Sequence, residues 1–292
     1  MDLEHKAIER LRMAAEMSEK YYQKPLLVTV SGGKDSEVCL ELCRRARIPF
    51  EVVHNLTTAD APETVRHVRK TFRRLELAGV PCAILSPLYK GNPTSMWKLI
   101  PQKLIPPTRK IRWCCAYLKE VANPHRCIVL GVRSAESISR ADSGVLELPG
   151  KTRREKITFD MDNGDSRVIA VCQAKAKLKV HPIVDWTDRD VWAFLHDAGI
   201  EVNPCYSMGL RRVGCIGCPM ASKSRYTEFQ LWPKYEQLYR RAFVRMLEGR
   251  IATGKDRLWQ TADEVFRWWM EDKNLEGQLD IWGGEIGGYK HL

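Results

Sequence analysis

Apolar and polar positions form two patterns along the first half of the chain, first a helical period and then short apolar runs between helical stretches. Residues 3–20 carry apolar side chains at helical spacing, which predicts an amphipathic first helix. Short apolar runs then alternate with helical stretches. The predicted strands are 26–30, 50–54, 82–85 and 127–131, and the predicted helices between them are 37–45, 62–78 and 95–104. This alternation predicts an α/β fold in which helices cover both faces of a parallel twisted sheet.

The alternation of apolar runs and helical stretches stops at about 140–180, where turn residues and a basic run indicate an inserted hairpin or loop. Lys175, Lys177 and Lys179 alternate there with apolar residues, which is the period of a strand with one basic face. That face is either a solvated edge of the sheet or a track for phosphate groups or nucleic acid. The sequence leaves both interpretations open.

Helical patterns return in the last third of the chain. Thr187 can cap the helix that follows it, and two further helical stretches occur at 226–248 and 261–272. Four tryptophans in this region are interpreted as core residues rather than as a platform for stacking bases. They are Trp232, Trp259, Trp268 and Trp269. We therefore expect an α/β domain over 1–220, which includes the insertion, and a C-terminal helical extension over 221–292.

Composition narrows the class of partner and the compartment. The 292 residues carry a formal net charge of +11, which favours anionic partners such as nucleotides or nucleic acid. Ten cysteines, together with a charged N-terminus that lacks an apolar leader segment, predict a reducing compartment, the cytoplasm, where thiols bind metals. No stretch approaches the length of a membrane span, so no membrane partner is expected.

A phosphate-binding loop is the clearest chemical signal in the chain. Residues 31–36 read Ser-Gly-Gly-Lys-Asp-Ser between a predicted strand and a predicted helix. Two glycines let the backbone approach an anion, the helix N-terminus and two serine hydroxyls offer donors, and Lys34 adds a full charge. The spacing differs from that of a Walker A motif. Gly131 and Arg133 follow a later strand, so both segments are expected to open onto one crevice.

Four cysteines in two pairs form the second signal. Cys114 and Cys115 are adjacent, and Cys215 and Cys218 form a C-x-x-C pair. Four thiolates complete the shell of a zinc ion or of an iron-sulfur cluster. Adjacent side chains diverge unless the backbone is bent or helical, and a cuboidal 4Fe-4S cluster tolerates that divergence best, so it is favoured over zinc and over unliganded thiols. The remaining cysteines are interpreted mostly as small buried apolar residues, namely Cys39, Cys43, Cys82, Cys127, Cys172 and Cys205.

Together these motifs resemble the phosphoadenosine phosphosulfate reductase family of the PP-loop ATP pyrophosphatase superfamily. The resemblance rests on residues 31–36, 131–134, 181–187, 190–192, 203–204 and 214–218, in the order in which the family has them. It implies an adenine nucleotide α-hydrolase-like fold, in which Arg133 would reach the phosphosulfate or the α-phosphate. The residues that would hold the nucleotide are Ser31, Gly32, Gly33, Lys34, Asp35, Ser36 and Gly131, with Arg133.

The cysteine pairs further resemble the iron-sulfur branch of that family. This branch contains the assimilatory adenylylsulfate reductases and the related sulfurtransferase of DNA phosphorothioation. The resemblance implies a 4Fe-4S cluster bound by Cys114, Cys115, Cys215 and Cys218.

Two departures separate the chain from simple sulfate reduction. Reductases of this family attack sulfur with a cysteine in a C-terminal Glu-Cys-Gly-type segment, whereas no cysteine follows Cys218 here. The reductases also generally carry a degenerate phosphate loop, while the intact loop at 31–36 is closer to enzymes that consume ATP. Both differences favour an ATP-dependent reaction.

Three functions follow from these observations. The favoured one is an ATP-using enzyme with a 4Fe-4S cluster that adenylates a substrate and supports sulfur transfer, with nucleic acid and a protein sulfur or electron donor as candidate partners. The second is a sulfonucleotide reductase that releases sulfite, with a thiol from Cys205, from another protein or from a small molecule. The third is a nucleotide-binding subunit without turnover of its own.

Catalysis in the favoured function is expected to be electrostatic. Negative charge builds on pyrophosphate as it leaves, and Lys34, Arg133 and a magnesium ion bound with ATP would stabilise it. Asp35 would hold magnesium, orient the loop or interact with the helix dipole, and the sequence does not choose among these roles.

Overall fold

The apolar runs of the first half form strands of one sheet in the computed structural model of the chain, which describes residues 2–120, 125–136, 144–148, 157–159, 177–255 and 258–271. Contacts divide the chain into two units. The first unit comprises Met1–Leu56, Ala61–Leu85 and Val121–Gly214, and the second comprises Thr57–Asp60, Ser86–Glu120 and Cys215–Leu292. The predicted division at residue 220 remains a prediction, and these units differ from it by grouping Ser86–Glu120 with the C-terminal helices.

Helices and strands follow the apolar pattern of the sequence closely. The helices are α1 Leu3–Tyr22, α2 Lys34–Ala46, α3 Pro62–Leu77, α4 Met96–Lys103, α5 Trp113–Cys115, α6 Asp188–Asp197, α7 Ser224–Leu231, α8 Pro233–Ala252 and α9 Ala262–Glu271. The strands are β1 Leu26–Thr29, β2 Phe50–Asn55, β3 Cys82–Leu85, β4 Leu88–Tyr89, β5 Asn92–Pro93, β6 Arg126–Val129, β7 Leu146–Leu148, β8 Ile157–Phe159 and β9 Lys177–Val180. Thr187 caps α6 through a capping box with Asp190, as predicted.

The first unit contains one mostly parallel sheet flanked by helices, which confirms the predicted α/β fold. Its strand order is β3-β2-β1-β6-β9-β7-β8. β1 pairs in parallel with β2 on one side and with β6 on the other, so that Leu27 lies opposite both Glu51 and Ile128. The strand order reverses its direction between β1 and β6. The carboxyl ends of these two strands therefore mark the place where open α/β sheets bind ligands.

The predicted insertion contains an antiparallel hairpin. β7 pairs antiparallel with both β8 and β9. The interpretation of the lysine-bearing strand as a solvated edge is wrong, because β9 lies between β6 and β7. Lys179 Nζ lies 3.4 Å from Glu147 Oε1 on β7, so a cross-strand ion pair explains its position. Lys175 and the basic run before it lie outside the described residues.

Two apolar clusters line the sheet. Leu26 and Val28 of β1 belong to a large cluster that also contains buried residues of α1, α2 and α6. Leu27 lies between them in sequence but belongs to a small cluster with Val53 and Ile128. Successive side chains of β1 therefore point to opposite faces, as the period of a strand requires.

A buried ion pair ties α1 to the segment before α6. Arg10 is 3% exposed and donates hydrogen bonds to both carboxylate oxygens of Asp185, at 2.8 and 3.0 Å, and to the Pro182 carbonyl at 2.9 Å. Burial in itself would raise the pKa of Asp185. The hydrogen bonds and charge of Arg10 outweigh burial, so the pKa of Asp185 lies below its usual value.

The second unit corrects one predicted helix. The stretch 226–248 was expected to be continuous, but it is divided at Trp232 into α7 and α8. Pro233 explains the break, because proline has no N–H for the preceding turn and instead begins a new helix well. Among the described helices, none is long and apolar enough to cross a membrane.

The tryptophans of the second unit pack as predicted for core residues. Trp232, Trp259 and Trp269 are buried. Trp268 is partly exposed and packs against Trp259, with ring centroids 4.9 Å apart. These residues therefore stabilise the C-terminal helices.

The Arg10–Asp185 pair predicts acid-sensitive stability. The pKa of Asp185 is lower in the folded state than its unfolded value of about 3.9, so the pair contributes stability above that pH and loses it as the pH falls through the folded pKa. Arg10→Met removes the main partner of Asp185 and leaves Lys6, whose Nζ lies 3.2 Å from Asp185 Oδ2. The variant should be less stable than the parent protein in urea unfolding at neutral pH, and the difference should shrink below about pH 4.

Arg12→Met is the matched control, because Arg12 makes only an exposed pair with Glu9 on the same helix. It should change stability little at either pH. If Arg10→Met destabilised the protein equally at neutral and acid pH, packing of the arginine stem would be responsible instead of the ion pair.

Candidate functional site

The loop between β1 and α2 is closed by its own polar groups. Ser36 Oγ donates to the Gly33 carbonyl at 2.7 Å and accepts from the Ser31 N–H at 3.2 Å. The N–H groups of Ser36 and Glu37 also donate to the Gly33 carbonyl, at 3.0 and 3.2 Å. Gly33 thus caps α2, and the N–H donors at the start of this helix lie at the carboxyl end of β1.

Gly32 is required by this turn. Its φ is +75°, and a Cβ there would lie 2.9 Å from Thr64 Cγ2. Asn203 is 1% exposed and donates from Nδ2 to the Gly32 carbonyl at 2.9 Å and to Thr64 Oγ1 at 3.1 Å. The Asn-Pro motif at 203–204 therefore supports the loop from behind.

A second glycine brings the loop after β6 against the first loop. A Cβ on Gly131 would lie 2.7 Å from the carbonyl carbon of Asp35 and 2.8 Å from its oxygen, which is closer than side chains approach a backbone. Glycine therefore permits a contact that any larger residue would prevent. Arg133, two residues later, reaches the charged side chains of the first loop.

Two buried cations and two carboxylates meet at these loops. Lys34 and Arg133 are 7% and 3% exposed. Arg133 donates from Nε to Asp35 Oδ1 at 2.6 Å and from Nη2 to Asp188 Oδ1 at 3.0 Å. Lys34 Nζ lies 3.1 Å from Asp188 Oδ1 and 3.4 Å from Asp35 Oδ2. Each cation therefore shares both carboxylates with the other.

These cations control the ionisation of Asp188. Burial alone would raise its pKa, but hydrogen bonds and charge from Lys34 and Arg133 outweigh burial and lower the pKa below its usual value. Asp188 is therefore ionised at neutral pH. The Tyr206 hydroxyl accepts from the Lys34 N–H at 2.9 Å, and burial raises the pKa of Tyr206 to about 12. This hydroxyl is a neutral group that fixes the start of α2.

The first unit brings the predicted phosphate-loop residues together. These are Ser31, Gly32, Gly33, Lys34, Asp35, Ser36, Gly131 and Arg133. Asp188 also belongs to this group of charges, but the sequence did not predict a role for it at the loop. Its only local signal is its position directly after the helix cap, where a carboxylate also has a purely structural explanation.

This arrangement can bind phosphate groups. Lys34 and Arg133 can exchange their carboxylate partners for phosphate oxygens, and the positive end of the α2 dipole favours the same anion. The exchange would release carboxylate oxygens of Asp35 and Asp188, which are ligands that magnesium prefers. The charges at these two loops therefore suit an anion such as a phosphate group.

All four candidate metal ligands belong to the second unit. Cys114 and Cys115 end α5 and precede a π-helix over Ala116–Glu120, so the backbone of the adjacent pair is helical. The Cys218 N–H donates to the Cys215 carbonyl at 3.2 Å, which closes the C-x-x-C turn.

Gly217 shapes that turn. Its φ is +73°, and a Cβ there would lie 2.7 Å from Phe229 Cζ and 2.8 Å from Tyr239 Cε2. The Gly217 N–H donates to the Glu228 carboxylate at 2.7 Å, and the Tyr239 hydroxyl donates to the Ile216 carbonyl at 2.9 Å. The C-x-x-C turn is therefore fixed by α7 and α8 of the same unit.

The four thiols lie within electrostatic reach of one another. A hydrogen bond with Cys115, burial and the charges of Cys215 and Cys218 all raise the pKa of Cys114. The hydrogen bond with Cys114 lowers the pKa of Cys115, and Arg112 Nη2 adds a bond to Cys115 Sγ at 3.3 Å. Cys115 is therefore the more acidic thiol of the adjacent pair.

This donor set matches a thiolate-bound cofactor in its chemistry. Within the residues that the structure describes, no three His, Cys, Asp or Glu side chains are arranged to hold a single metal ion. The four thiols interact electrostatically, and Arg112 bonds one of them. Thiolates are the donors that both zinc sites and iron-sulfur clusters take.

Cys205 lies beside the phosphate loop in the first unit. It is 1% exposed, its Sγ is 3.6 Å from Thr64 Oγ1, and burial raises its pKa. A buried and protonated thiol is a poor nucleophile. These observations argue against Cys205 as the reacting thiol of a reductase.

Comparison with known proteins adds a family and several relatives. A family model described as the phosphoadenosine phosphosulfate reductase domain matches residues 25–221. An uncharacterized protein of Methanocaldococcus jannaschii is 25% identical over 286 residues, which are 93% of this chain and 59% of that protein. An adenosine 5′-phosphosulfate reductase of Anoxybacillus flavithermus is 25% identical over 215 residues, which are 72% of this chain and 78% of that enzyme.

The chain spans 59% of the length of the first of these relatives and 42% of the length of a second protein of the same organism. Among solved structures, a phosphoadenylyl-sulfate reductase from Candida auris in a phosphate complex has a TM-score of 0.46 and 17% identity. The match covers 72% of this chain and 88% of that chain.

The close contact at Gly131 predicts a specific loss of anion binding. Gly131→Ala would push its Cβ into the Asp35 backbone, so the loop and Arg133 must shift. Affinity for adenine nucleotides in calorimetry should fall about tenfold, the loss of roughly one hydrogen bond to a charged group.

Gly214→Ala is the control for this substitution. A Cβ on Gly214 would meet nothing closer than Arg212 Nη2 at 3.5 Å, and its φ is not in the left-handed region. That variant should keep its nucleotide affinity. Equal affinity of Gly131→Ala and the parent protein would show that the contact does not shape the binding site.

Proposed function

This chain belongs to the phosphoadenosine phosphosulfate reductase family, and we propose that it is an enzyme acting on the phosphate groups of an adenine nucleotide. The proposed reaction uses ATP with magnesium and cleaves it between the α and β phosphates. The resulting adenylated acceptor would be primed for sulfur transfer. The four-charge group of Lys34, Arg133, Asp35 and Asp188 is the observation that carries this proposal.

The paired carboxylates favour ATP over a sulfonucleotide. Phosphate oxygens would replace Asp35 and Asp188 as partners of Lys34 and Arg133, because they accept the same charge-assisted hydrogen bonds. The carboxylates would then be available to hold a magnesium ion, which would supply positive charge against the phosphates. Reduction of a sulfonucleotide requires a thiol and offers no comparable role for two carboxylates beside the phosphates.

Stabilisation of the leaving pyrophosphate supplies the proposed catalysis. Negative charge grows on this group as the acceptor attacks the α-phosphate. Lys34 and Arg133 lie on two neighbouring loops, and phosphate oxygens that replace Asp35 and Asp188 bring both cations to that charge. Asp35 holds the Arg133 guanidinium before the nucleotide arrives, and it is therefore a positioning residue in the free enzyme.

A 4Fe-4S cluster is the proposed cofactor, held by Cys114, Cys115, Cys215 and Cys218. When bound, such a cluster supplies electron transfer or a site for sulfur, or it stabilises the unit. Arg112 donates to Cys115 Sγ and would offset part of the negative charge of the thiolates. The described cysteines are all free thiols, which suits a reducing cytoplasmic setting and a protein donor of sulfur or electrons.

Sulfonucleotide reduction is the second candidate. Its support is the 25% identity to the Anoxybacillus flavithermus enzyme. The thiol would come from another protein or a small molecule, because Cys205 is buried.

The two candidates predict different products. With magnesium and ATP, and with water in place of the acceptor at the α-phosphate, the protein should release AMP and pyrophosphate, whereas adenylylsulfate or phosphoadenosine phosphosulfate with dithiothreitol should give no sulfite. Lys34→Ala should lower pyrophosphate release about 10²-fold by removing charge that stabilises the transition state. Measurement of pyrophosphate and sulfite in parallel decides between the reactions.

Lys70→Ala is the matched control, since Lys70 makes an exposed pair with Glu201 away from the loop. It should keep full pyrophosphate release. Asp188→Asn should retain nucleotide binding but need more magnesium for half-maximal rate. Sulfite from a sulfonucleotide with inert ATP would establish the reductase and refute the ATP reaction.

The proposed cluster should give the purified protein a brown colour and a defined iron content. Protein purified without oxygen should be brown and contain about four irons per chain. Cys215→Ser should lose most of this iron, because it removes one of the four proposed ligands. Iron analysis and absorption spectra measure both outcomes.

Cys82→Ser provides the comparison, because Cys82 is a partly exposed free thiol on β3 in the other unit. It should keep its iron. A colourless protein with stoichiometric zinc, or equal loss of iron in both variants, would show that the assignment is wrong.

A further inference from the structure

We infer that Tyr206 is a further phosphate-binding residue of the candidate site, and that its hydroxyl donates a hydrogen bond to an oxygen of the bound phosphate. Tyr206 lies in the first unit, which also contains Lys34 and Arg133. The nature of the anion, a phosphate group of an adenine nucleotide, rests on the proposed function. Tyr206 adds a neutral donor to the two cations that the site already offers.

The backbone donors of the phosphate loop are largely used within the loop itself. Four N–H groups donate to oxygens of the loop, namely those of Ser31, Gly33, Ser36 and Glu37. The Lys34 N–H instead donates to the Tyr206 hydroxyl at 2.9 Å. An anion that leaves this bond intact would therefore meet the tyrosine hydroxyl at the positive start of α2.

The hydrogen-bond count at Tyr206 leaves its proton available. A phenol hydroxyl has one proton to donate and lone pairs that accept. An amide N–H can only donate, so the bond from Lys34 occupies a lone pair of the oxygen. No described residue accepts the proton of this hydroxyl. A hydroxyl that accepts one hydrogen bond is polarised and donates the next one more strongly, so the Lys34 N–H makes Tyr206 a better donor.

The carboxylates that hold the two cations also act on Tyr206. Burial is the main cause that raises the pKa of Tyr206 to about 12, and the charges of Asp35 and Asp188 act in the same direction. The hydroxyl therefore keeps its proton at neutral pH and lies within electrostatic reach of both carboxylates. Phosphate oxygens that replace these carboxylates would bring their negative charge into the same neighbourhood, where the tyrosine proton can bond to it.

The turn that carries Tyr206 is bound to the phosphate loop. Asn203 Nδ2 donates to the Gly32 carbonyl at 2.9 Å, and the Tyr206 N–H donates to the Asn203 carbonyl at 3.1 Å. The Tyr206 ring packs edge to face against Trp192 of α6, with ring centroids 5.1 Å apart. The hydroxyl is thus held in place before an anion arrives, which reduces the ordering cost of binding.

These contacts argue against the opposite role, in which the hydroxyl blocks an amide that a phosphate would otherwise take. A phosphate that bonded the Lys34 N–H directly would have to displace the Tyr206 side chain. That displacement would disturb the packing on Trp192 and the turn that Asn203 ties to the loop. The two roles predict opposite results, because loss of a donor weakens binding and loss of a blocking group strengthens it.

Calorimetry with ATP in the presence of EDTA, where magnesium supports no turnover, tests the inference. Tyr206→Phe keeps the ring and should weaken ATP binding about tenfold, the loss of about one hydrogen bond to a charged group. Tyr226→Phe is the matched control, because Tyr226 is 50% exposed on α7 in the other unit, and it should leave the affinity unchanged. Unchanged or tighter binding by Tyr206→Phe would overturn the inference.

A fluorinated tyrosine in place of Tyr206 separates donation to the anion from support of the loop. Fluorine on the ring makes the hydroxyl a stronger donor and a poorer acceptor. ATP should bind more tightly if the hydroxyl donates to phosphate. Weaker binding would show that only the bond accepted from the Lys34 N–H matters, and it would also overturn the inference.

The binding measurements also separate this role from the proposed reaction. Weaker ATP binding by Tyr206→Phe without any pyrophosphate release from the parent protein would keep Tyr206 as an anion-binding residue and refute the ATP reaction. Unchanged affinity in Tyr206→Phe together with pyrophosphate release would refute the role of Tyr206 alone.

Discussion

The contact between Gly131 and the Asp35 backbone is the constraint on which the candidate phosphate site depends. β1 and β6 are neighbours in the sheet, so the loops that follow them must share one edge. A Cβ at position 131 would lie 2.7 Å from the Asp35 carbonyl carbon and would hold the loops apart. Because position 131 has no Cβ, the two loops meet, and Arg133 Nε reaches Asp35 Oδ1 at 2.6 Å. The geometry of the charges is therefore a consequence of backbone packing.

Burial of Lys34 and Arg133 carries an electrostatic cost that Asp35 and Asp188 offset. A cation removed from water without a partner would be strongly destabilising, so the free protein needs these carboxylates. A bound nucleotide must displace these carboxylates. Its binding free energy is therefore the difference between the cation–phosphate pairs that form and the cation–carboxylate pairs that they replace. Asp188 is more exposed than Asp35, with 62% of its side chain accessible against 19%. Asp188 is therefore the partner that water can solvate more readily when phosphate oxygens replace it.

Local sequence signals predicted the elements that depend on local chemistry. The turn before α2, the Thr187 cap and most helix bounds follow from glycine, capping and apolar periodicity. The errors arose where distant segments decide the outcome. β9 has the alternation of an exposed strand, but it pairs with β6 on one side and with β7 on the other, so it lies inside the sheet. Asp188 has the pattern of an ordinary first-turn carboxylate, and only the folded chain brings it to Lys34. Pro233 is a local signal for the break between α7 and α8, but the apolar pattern over 226–248 predicted one continuous helix.

The C-x-x-C turn of the proposed cluster site is fixed by packing within the second unit. Gly217 packs against Phe229 and Tyr239, and residues of α7 and α8 bond the peptide group between Ile216 and Gly217. Phe229 and Tyr239 also pack against Trp269, so an aromatic cluster anchors the turn. Adjacent residues of a helix point about 100° apart, but the hydrogen bond between the Cys114 and Cys115 thiols keeps their sulfurs close together. The proposed cluster site therefore depends on two ordered features, a fixed C-x-x-C turn and a helical pair whose thiols converge.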